Sequence, residues 1–170
     1  MTVNKAYVDL AQEMLQQLPK GAFLTVKDGE RINTMTIGWG SIGYIWQRPV
    51  IMVAVRYSRY TYDLIEKASD FTVSLPYTNE MKRILAEAGT KSGRDMDKFK
   101  ELAITIQPGQ AVNSPVIGEC HLMFECRTVF KQPMDPKNLD PELKQKFYAN
   151  EDYHVLYFGE ILACYANEEN

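Results

Sequence analysis

The run Val50-Ile51-Met52-Val53-Ala54-Val55 is almost continuously apolar and rich in β-branched residues. A segment of that kind reads as a central strand with both faces covered, so a sheet must be built around it. Candidate neighbours are plentiful. Ala22 to Lys27 and Arg31 to Ile37 read as strands joined at Asp28-Gly29, a hairpin signal because glycine accepts the positive φ of a type I′ turn. Phe71-Thr72-Val73-Ser74-Leu75 alternates and stops at Pro76. A short strand is expected over 104–107, and two longer ones over His121 to Phe130 and His154 to Tyr165.

Helical spacing appears between these strands. Tyr7, Leu10, Ala11, Met14, Leu15 and Leu18 form the apolar stripe of a helix over 6–18, ended by Pro19 and Gly21. Shorter helices are expected from Tyr62 to Ala68, from Glu80 to Ala88 with Gly89 as the stop, around Phe99 and Leu102, and from Pro141 to Tyr148. Asn33 to Gly43 turns from strand chemistry into a glycine-opened loop. Six to eight strands with short helices in the connections predict a mainly β closed antiparallel barrel with helical insertions. The strand–helix alternation is too irregular for a doubly wound parallel sheet.

With 170 residues, 45% of them hydrophobic and 24% charged, the chain is expected to form one domain over 1–170. No apolar run is long enough to span a bilayer, and no apolar signal core follows Met1-Thr2-Val3-Asn4-Lys5. A net charge of −3 argues against a nucleic-acid binder. Cys120, Cys126 and Cys164 form no C-x-x-C pair, and no cluster has metal-ligand spacing. They read as buried, reduced thiols of a cytoplasmic protein. The tail Glu168-Glu169-Asn170 reads as a solvated end.

Three stretches could carry chemistry. Arg56-Tyr57-Ser58-Arg59-Tyr60-Thr61 follows the buried strand and opens a helix, with Thr61 in a cap position. Free amides, two guanidinium groups and two hydroxyls there would suit a phosphate; an ordinary capped helix with solvated arginines fits the same residues. Thr90-Lys91-Ser92-Gly93-Arg94 through Lys98-Phe99 has the composition of an anion nest and also of a plain surface turn. In Asn33 to Gly43, Thr34, Thr36, Ser41 and the glycines allow a ligand close to the backbone, and Trp39 and Trp46 add flat apolar surface; both indoles could instead fill a core or subunit contact, the reading that suits Trp46 better. His154 follows Glu151-Asp152-Tyr153, so a role in proton transfer stands beside a structural one.

These stretches, in this order, resemble the FMN-binding split barrel of the flavin reductase and flavoredoxin family. The similar segments are Asn33-Thr34-Met35-Thr36-Ile37-Gly38-Trp39-Gly40, Trp46-Gln47-Arg48-Pro49, Arg56-x-Ser58-Arg59-x-Thr61, Phe71 to Pro76, Ser92-Gly93-Arg94 to Lys98-Phe99, and His154-x-x-x-x-Gly159-Glu160-Ile161. The resemblance covers nearly the whole chain and implies a Greek-key antiparallel split barrel.

The resemblance implies a site as well. Asn33, Thr34, Met35, Thr36, Trp39 and Ser41 would line a flavin ring, largely through backbone groups. Arg56, Ser58, Arg59 and Thr61 would hold the phosphate, with Lys91, Ser92 and Arg94 nearby. His154 matches a histidine near the nicotinamide in the reductase branch. The implied activity is reduction of FMN by NADH or NADPH, with electrons passed to an unidentified acceptor; an FMN-binding electron carrier without pyridine-nucleotide turnover is the alternative. A homodimer with residues 39–48 in its interface is expected. The cationic turns suit the terminal phosphate of FMN better than FAD.

Overall fold

The structure, a computed structural model, describes residues 2–76 and 81–167. Its elements are β1 (Thr2–Asn4), α1 (Tyr7–Gln17), β2 (Ala22–Asp28), β3 (Arg31–Ile37), β4 (Gly40–Ile45), β5 (Arg48–Arg56), α2 (Tyr60–Ile65), β6 (Asp70–Leu75), α3 (Lys82–Thr90), α4 (Lys98–Glu101), β7 (Ile106–Gln107), β8 (Val116–Ile117), β9 (Leu122–Pro133), α5 (Pro141–Phe147) and β10 (His154–Asn167). Eight strands form one antiparallel sheet in the order β3-β2-β6-β9-β10-β5-β4, with β1 added to the far end of β10. Strands β7 and β8 make a separate two-stranded ribbon. The fold is mainly β, of the split-barrel kind. The expected closure is not made by hydrogen bonds: the order ends in β3 and β4, and no ladder joins these two consecutive strands among the described residues. The split lies at Gly38-Trp39, the link between them.

Strand β2 is buried over its first five residues because both of its faces are covered. Leu24 and Val26 point into a core with Met14, Ile51, Val53, Phe71, Phe124 and Tyr157. Phe23, on the other face, joins Leu85, Leu102, Ile117, Met123 and Tyr165 beneath the helices. Strand β5 sends Ile51, Val53 and Val55 into the first core, as its apolar run requires. Gly159 sits where β10 shifts register against β9, and a Cβ there would stand 2.5 Å from Cζ of Phe71.

Two turns differ from expectation. Asp28 pairs with Arg31, so Gly29 and Glu30 are the turn residues, and of these only Gly29 has positive φ, at 58°. That is the type II′ pattern, not type I′. The type I′ pattern occurs instead at Trp46 and Gln47, between β4 and β5, with φ of 53° and 58°. Two bulky side chains there store backbone strain. The indole of Trp46 is half-exposed and packs edge-on against Phe130 and Phe158 at 5.7 and 6.2 Å.

The loop expected through Gly43 is already strand from Gly40 onward. Gly40 is demanded by close pairing, since a Cβ would lie 2.7 Å from the carbonyl oxygen of Met52. The helix expected from Glu80 begins at Lys82; Glu80 itself and the tail 168–170 lie outside the described residues. No helix of the described residues is long and apolar enough to cross a membrane.

Candidate functional site

The seam between β3 and β4 opens onto a cavity of about 220 Å³. Met35, Thr36 and Ile37 of β3, Gly38 and Trp39 of the link, Ala54 and Arg56 of β5, and His154 of β10 surround it, with Arg59 and Gly89 at one end. The missing β3–β4 ladder leaves this backbone open to a ligand. The site adjoins a second pocket of about 120 Å³, which also has Met35 and Arg59 in its wall. Ser58, Thr90, Lys91, Ser92 and Gly93 bring polar groups to that pocket, and Lys98 brings an ammonium. A slot of mixed polarity thus runs into a cationic cradle.

The close approach of the 92–94 turn to β3 depends on Gly93. A Cβ there would fall 2.1 Å from Oδ1 of Asn33. Asn33 is held in turn by its donation to Oγ1 of Thr61, at 2.8 Å. Helix α3 is held to β3 by Thr36, whose hydroxyl donates to the carbonyl of Leu85 at 2.6 Å.

Lys98 is 2% exposed. Its Nζ donates to the carbonyls of Thr34 and Ala88, at 2.9 and 2.7 Å. Burial, with a smaller push from Arg59, lowers its pKa to about 8. Arg59 donates to the carbonyl of Gly89 at 2.6 Å, and its pKa is lowered by burial. Neither cation forms a salt bridge with a carboxylate among the described residues. Two poorly neutralised cations beside one pocket are costly unless an anion enters.

The segment after α5 packs over the outer side of the site. Arg56 donates to the carbonyls of Asp152 and of Phe147, the latter at 3.0 Å, and its guanidinium lies 4.9 Å above the Tyr148 ring. The Asp152 carboxylate accepts from the N–H and the hydroxyl of Ser58, at 3.2 and 2.5 Å. The Trp39 indole meets Phe147 edge-on at 5.1 Å and His154 at 5.3 Å. Burial and the Arg56 charge hold the pKa of His154 down to about 4, against an opposing pull from Asp152. Its imidazole is neutral at pH 7.

The profile of the flavin reductase like domain matches residues 17–170. The chain belongs to the flavin reductase-like family. An uncharacterized protein of Archaeoglobus fulgidus is 35% identical over 117 residues, which are 68% of this chain and 65% of that protein, just under two thirds of its length. Flavoredoxin of Desulfovibrio vulgaris (Miyazaki F) superposes with a TM-score of 0.69 at 28% identity, over 87% of this chain and 69% of that one. A chain of Shewanella frigidimarina described as having a split barrel domain superposes with a TM-score of 0.67 at 14% identity, over 88% of this chain and 67% of that one, and shows the shared fold.

Within this flavin reductase-like domain, Asn33, Met35, Thr36, Trp39, Arg56, Ser58, Arg59, Thr61, Lys91, Ser92 and His154 line one or both pockets. Three expected residues do not. The Thr34 side chain is fully buried and its hydroxyl serves the β2–β3 pair, accepting from Oγ1 of Thr25 at 3.0 Å. Only the backbone of Thr34 faces the cradle, as the carbonyl that Lys98 binds. Ser41 is exposed on β4, paired with Met52, and lines neither pocket. Arg94 is turned outward to Asp63, at 2.7 Å, and to the carbonyl of Ser58. Nor is Thr61 the cap of α2. Arg59 occupies that position with extended backbone and no side-chain cap bond, while Thr61 is the second residue of the helix and buried.

Lys98 lies in the cationic 90–99 stretch but is not among the binding residues expected from sequence; beside apolar Phe99 and Leu102 nothing local distinguishes it from a solvated lysine of an amphipathic turn. Gly38-Trp39-Gly40-Ser41-Ile42-Gly43 has the literal spacing Gly-x-Gly-x-x-Gly. It is not a dinucleotide fingerprint, because it leads into an extended antiparallel strand and not a helix N-terminus.

Proposed function

We propose that this chain binds FMN with the ring in the seam cavity and the phosphate in the cradle, and works as an NAD(P)H-dependent oxidoreductase. The observation that carries the reading is the joined pair of pockets, one of mixed polarity and walled on one side by Trp39, the other holding Lys98 and Arg59 without a carboxylate partner. The donor set fits a monophosphate ester: an ammonium, a guanidinium and the Ser92 hydroxyl converge on a small polar pocket. The flavin supplies hydride chemistry when bound. The protein's part is to orient that group, exclude water from one face and offer neutral His154 beside Trp39.

No protein acid or base is required for transfer of a hydride from NADH or NADPH, which agrees with a site whose histidine is neutral. The exposed aromatic surface of Trp39, Tyr44 and Trp46 suits a second copy of the chain as cover for the open side. Support for flavin binding also comes from Desulfovibrio flavoredoxin, at 28% identity. The test is anaerobic mixing of the FMN-loaded protein with NADH or NADPH in a stopped-flow instrument. Bleaching of the flavin absorbance within turnover time is expected. A flavin that stays oxidised with both donors would leave an electron carrier and remove the NAD(P)H oxidoreductase.

A further inference from the structure

His154 opens β10 and forms part of the cavity wall. Its Nδ1 lies 2.7 Å from the hydroxyl of Tyr148. Its other nitrogen, Nε2, has no hydrogen-bond partner among the described residues. Tyr148 is 4% exposed, and its hydroxyl has no second partner there. These facts decide which group donates. If Nδ1 carried the proton, the phenol O–H would be buried with no acceptor. If the phenol donates, every buried polar atom of the pair is satisfied and Nε2–H is left for a ligand.

We propose that Tyr148 is a positioning residue: its hydroxyl donates to Nδ1 of His154, keeps the imidazole proton on Nε2, and gives the cavity a neutral N–H donor for a carbonyl-type oxygen of the molecule that enters. The surroundings hold this arrangement from every side. Arg56 of β5 lies over the Tyr148 ring, and its charge opposes protonation of His154. Tyr153 stacks on Tyr148 at 5.1 Å, Trp39 stands against the imidazole, and Asp152 is the one nearby charge that favours the protonated ring. A neutral Nε2–H donates one hydrogen bond without adding a charge, which suits an acceptor such as a flavin ring carbonyl or a nicotinamide carboxamide. The identity of that acceptor rests on the flavin reading; the tautomer is a property of the chain alone.

Nitrogen-15 NMR of the histidine rings tests the two parts separately. The chain has two histidines, so His154→Gln assigns the resonances. In the flavin-free wild type at pH 7, His154 is expected as a single Nε2–H tautomer. An Nδ1–H tautomer or a doubly protonated ring overturns the proposal, and neither result depends on flavin binding. Tyr148→Phe, checked by its melting curve, is expected to lose the fixed tautomer, so that the separation between the two nitrogen shifts collapses toward an average. Retention of the wild-type separation in a folded variant overturns the role of Tyr148. Addition of FMN, then of oxidised NAD to the FMN-loaded protein, identifies the acceptor. A shift of Nε2–H with FMN alone assigns the flavin carbonyl, a shift only on the second addition assigns the carboxamide, and no shift with either overturns the donor role.

Discussion

Lys98 and Thr34 are joined by a 2.9 Å hydrogen bond from the buried ammonium to the backbone carbonyl, which ties the cradle of positive charge to the strand lining the seam cavity. With Ala88 as the second acceptor, Lys98 has one N–H left, and it lines the polar pocket. Replacement by Met keeps the apolar stem and removes the charge. Lys98→Met is expected to weaken FMN binding by about 1.5–3 kcal/mol, the scale of one charge-assisted hydrogen bond. The melting temperature without flavin should hold or rise, because a buried ammonium bound only to carbonyls is costly. Flavin fluorescence titration and thermal melting read the two effects.

The same lysine sets a pH dependence. Its pKa of about 8 belongs to the chain without an anion, and a bound phosphate would raise it. Affinity for FMN should therefore be flat just below pH 8 and fall as pH rises above it, by up to tenfold per unit. In Lys98→Met that fall should vanish. Titrations at pH 7, 8 and 9 in both proteins decide the point.

The two arginines of the 56–59 turn should separate. Arg56 spends its guanidinium on the carbonyls of Phe147 and Asp152 and on the face of Tyr148. Arg59 faces both pockets with one carbonyl partner. Arg59→Ala is expected to cost about 1.5–2 kcal/mol of FMN affinity with little change in melting temperature. Arg56→Ala is expected to lower the melting temperature and cost less affinity. Equal effects of both on retention of flavin would contradict this division.

Acid stability follows from His154. Its folded pKa of about 4 lies below the ordinary 6.5, so the unfolded chain takes up the proton first as pH falls. Stability present above pH 6.5 is lost between 6.5 and 4, on the order of 3 kcal/mol for this group. Denaturant titrations at pH 7 and 4.5 should show a smaller loss in His154→Gln than in the wild type.

The hairpin at Trp46-Gln47 joins stability to assembly. Placing Asn and Gly at positions 46 and 47 suits the positive φ values and relieves about 1 kcal/mol or more of strain. Gln47→Gly alone, which keeps the Trp46 contacts to Phe130 and Phe158, is expected to raise the melting temperature; if Trp46 anchors a second copy, the double change weakens the dimer. Light scattering across a concentration series, beside melting curves, reads both. A dimer unaffected by the change would remove Trp46 from the interface.

Much of the barrel was legible because its strands carry local signals: the β5 run, the β2–β3 hairpin, and the stops at Gly21 and Pro76. Strand β4 was not, because Gly40 and Gly43 depress strand propensity and the pairing with β5 is a tertiary demand, visible only in the 2.7 Å approach to Met52. The opening at β3–β4 was equally hidden, since a ladder that fails to form leaves no mark on composition. At the candidate site, residue types pointed to turns that the fold brings together around the two pockets, but not to the direction of each side chain. Thr34 and Thr36 sit two apart on one strand, yet one hydroxyl serves the β2 ladder and the other anchors α3. Arg94 was drawn outward by Asp63, which lies 31 residues away in sequence. Lys98 was overlooked because its significance is its burial, and burial belongs to the fold.

The central claim is that one FMN occupies the joined pockets of each chain. The most direct measurement is acid release and chromatography of the flavin retained after the purified protein is incubated with FMN and FAD together and freed of excess by gel filtration. One FMN per chain, with little FAD, is the expected result. No retained flavin, or FAD in the majority, would contradict the account.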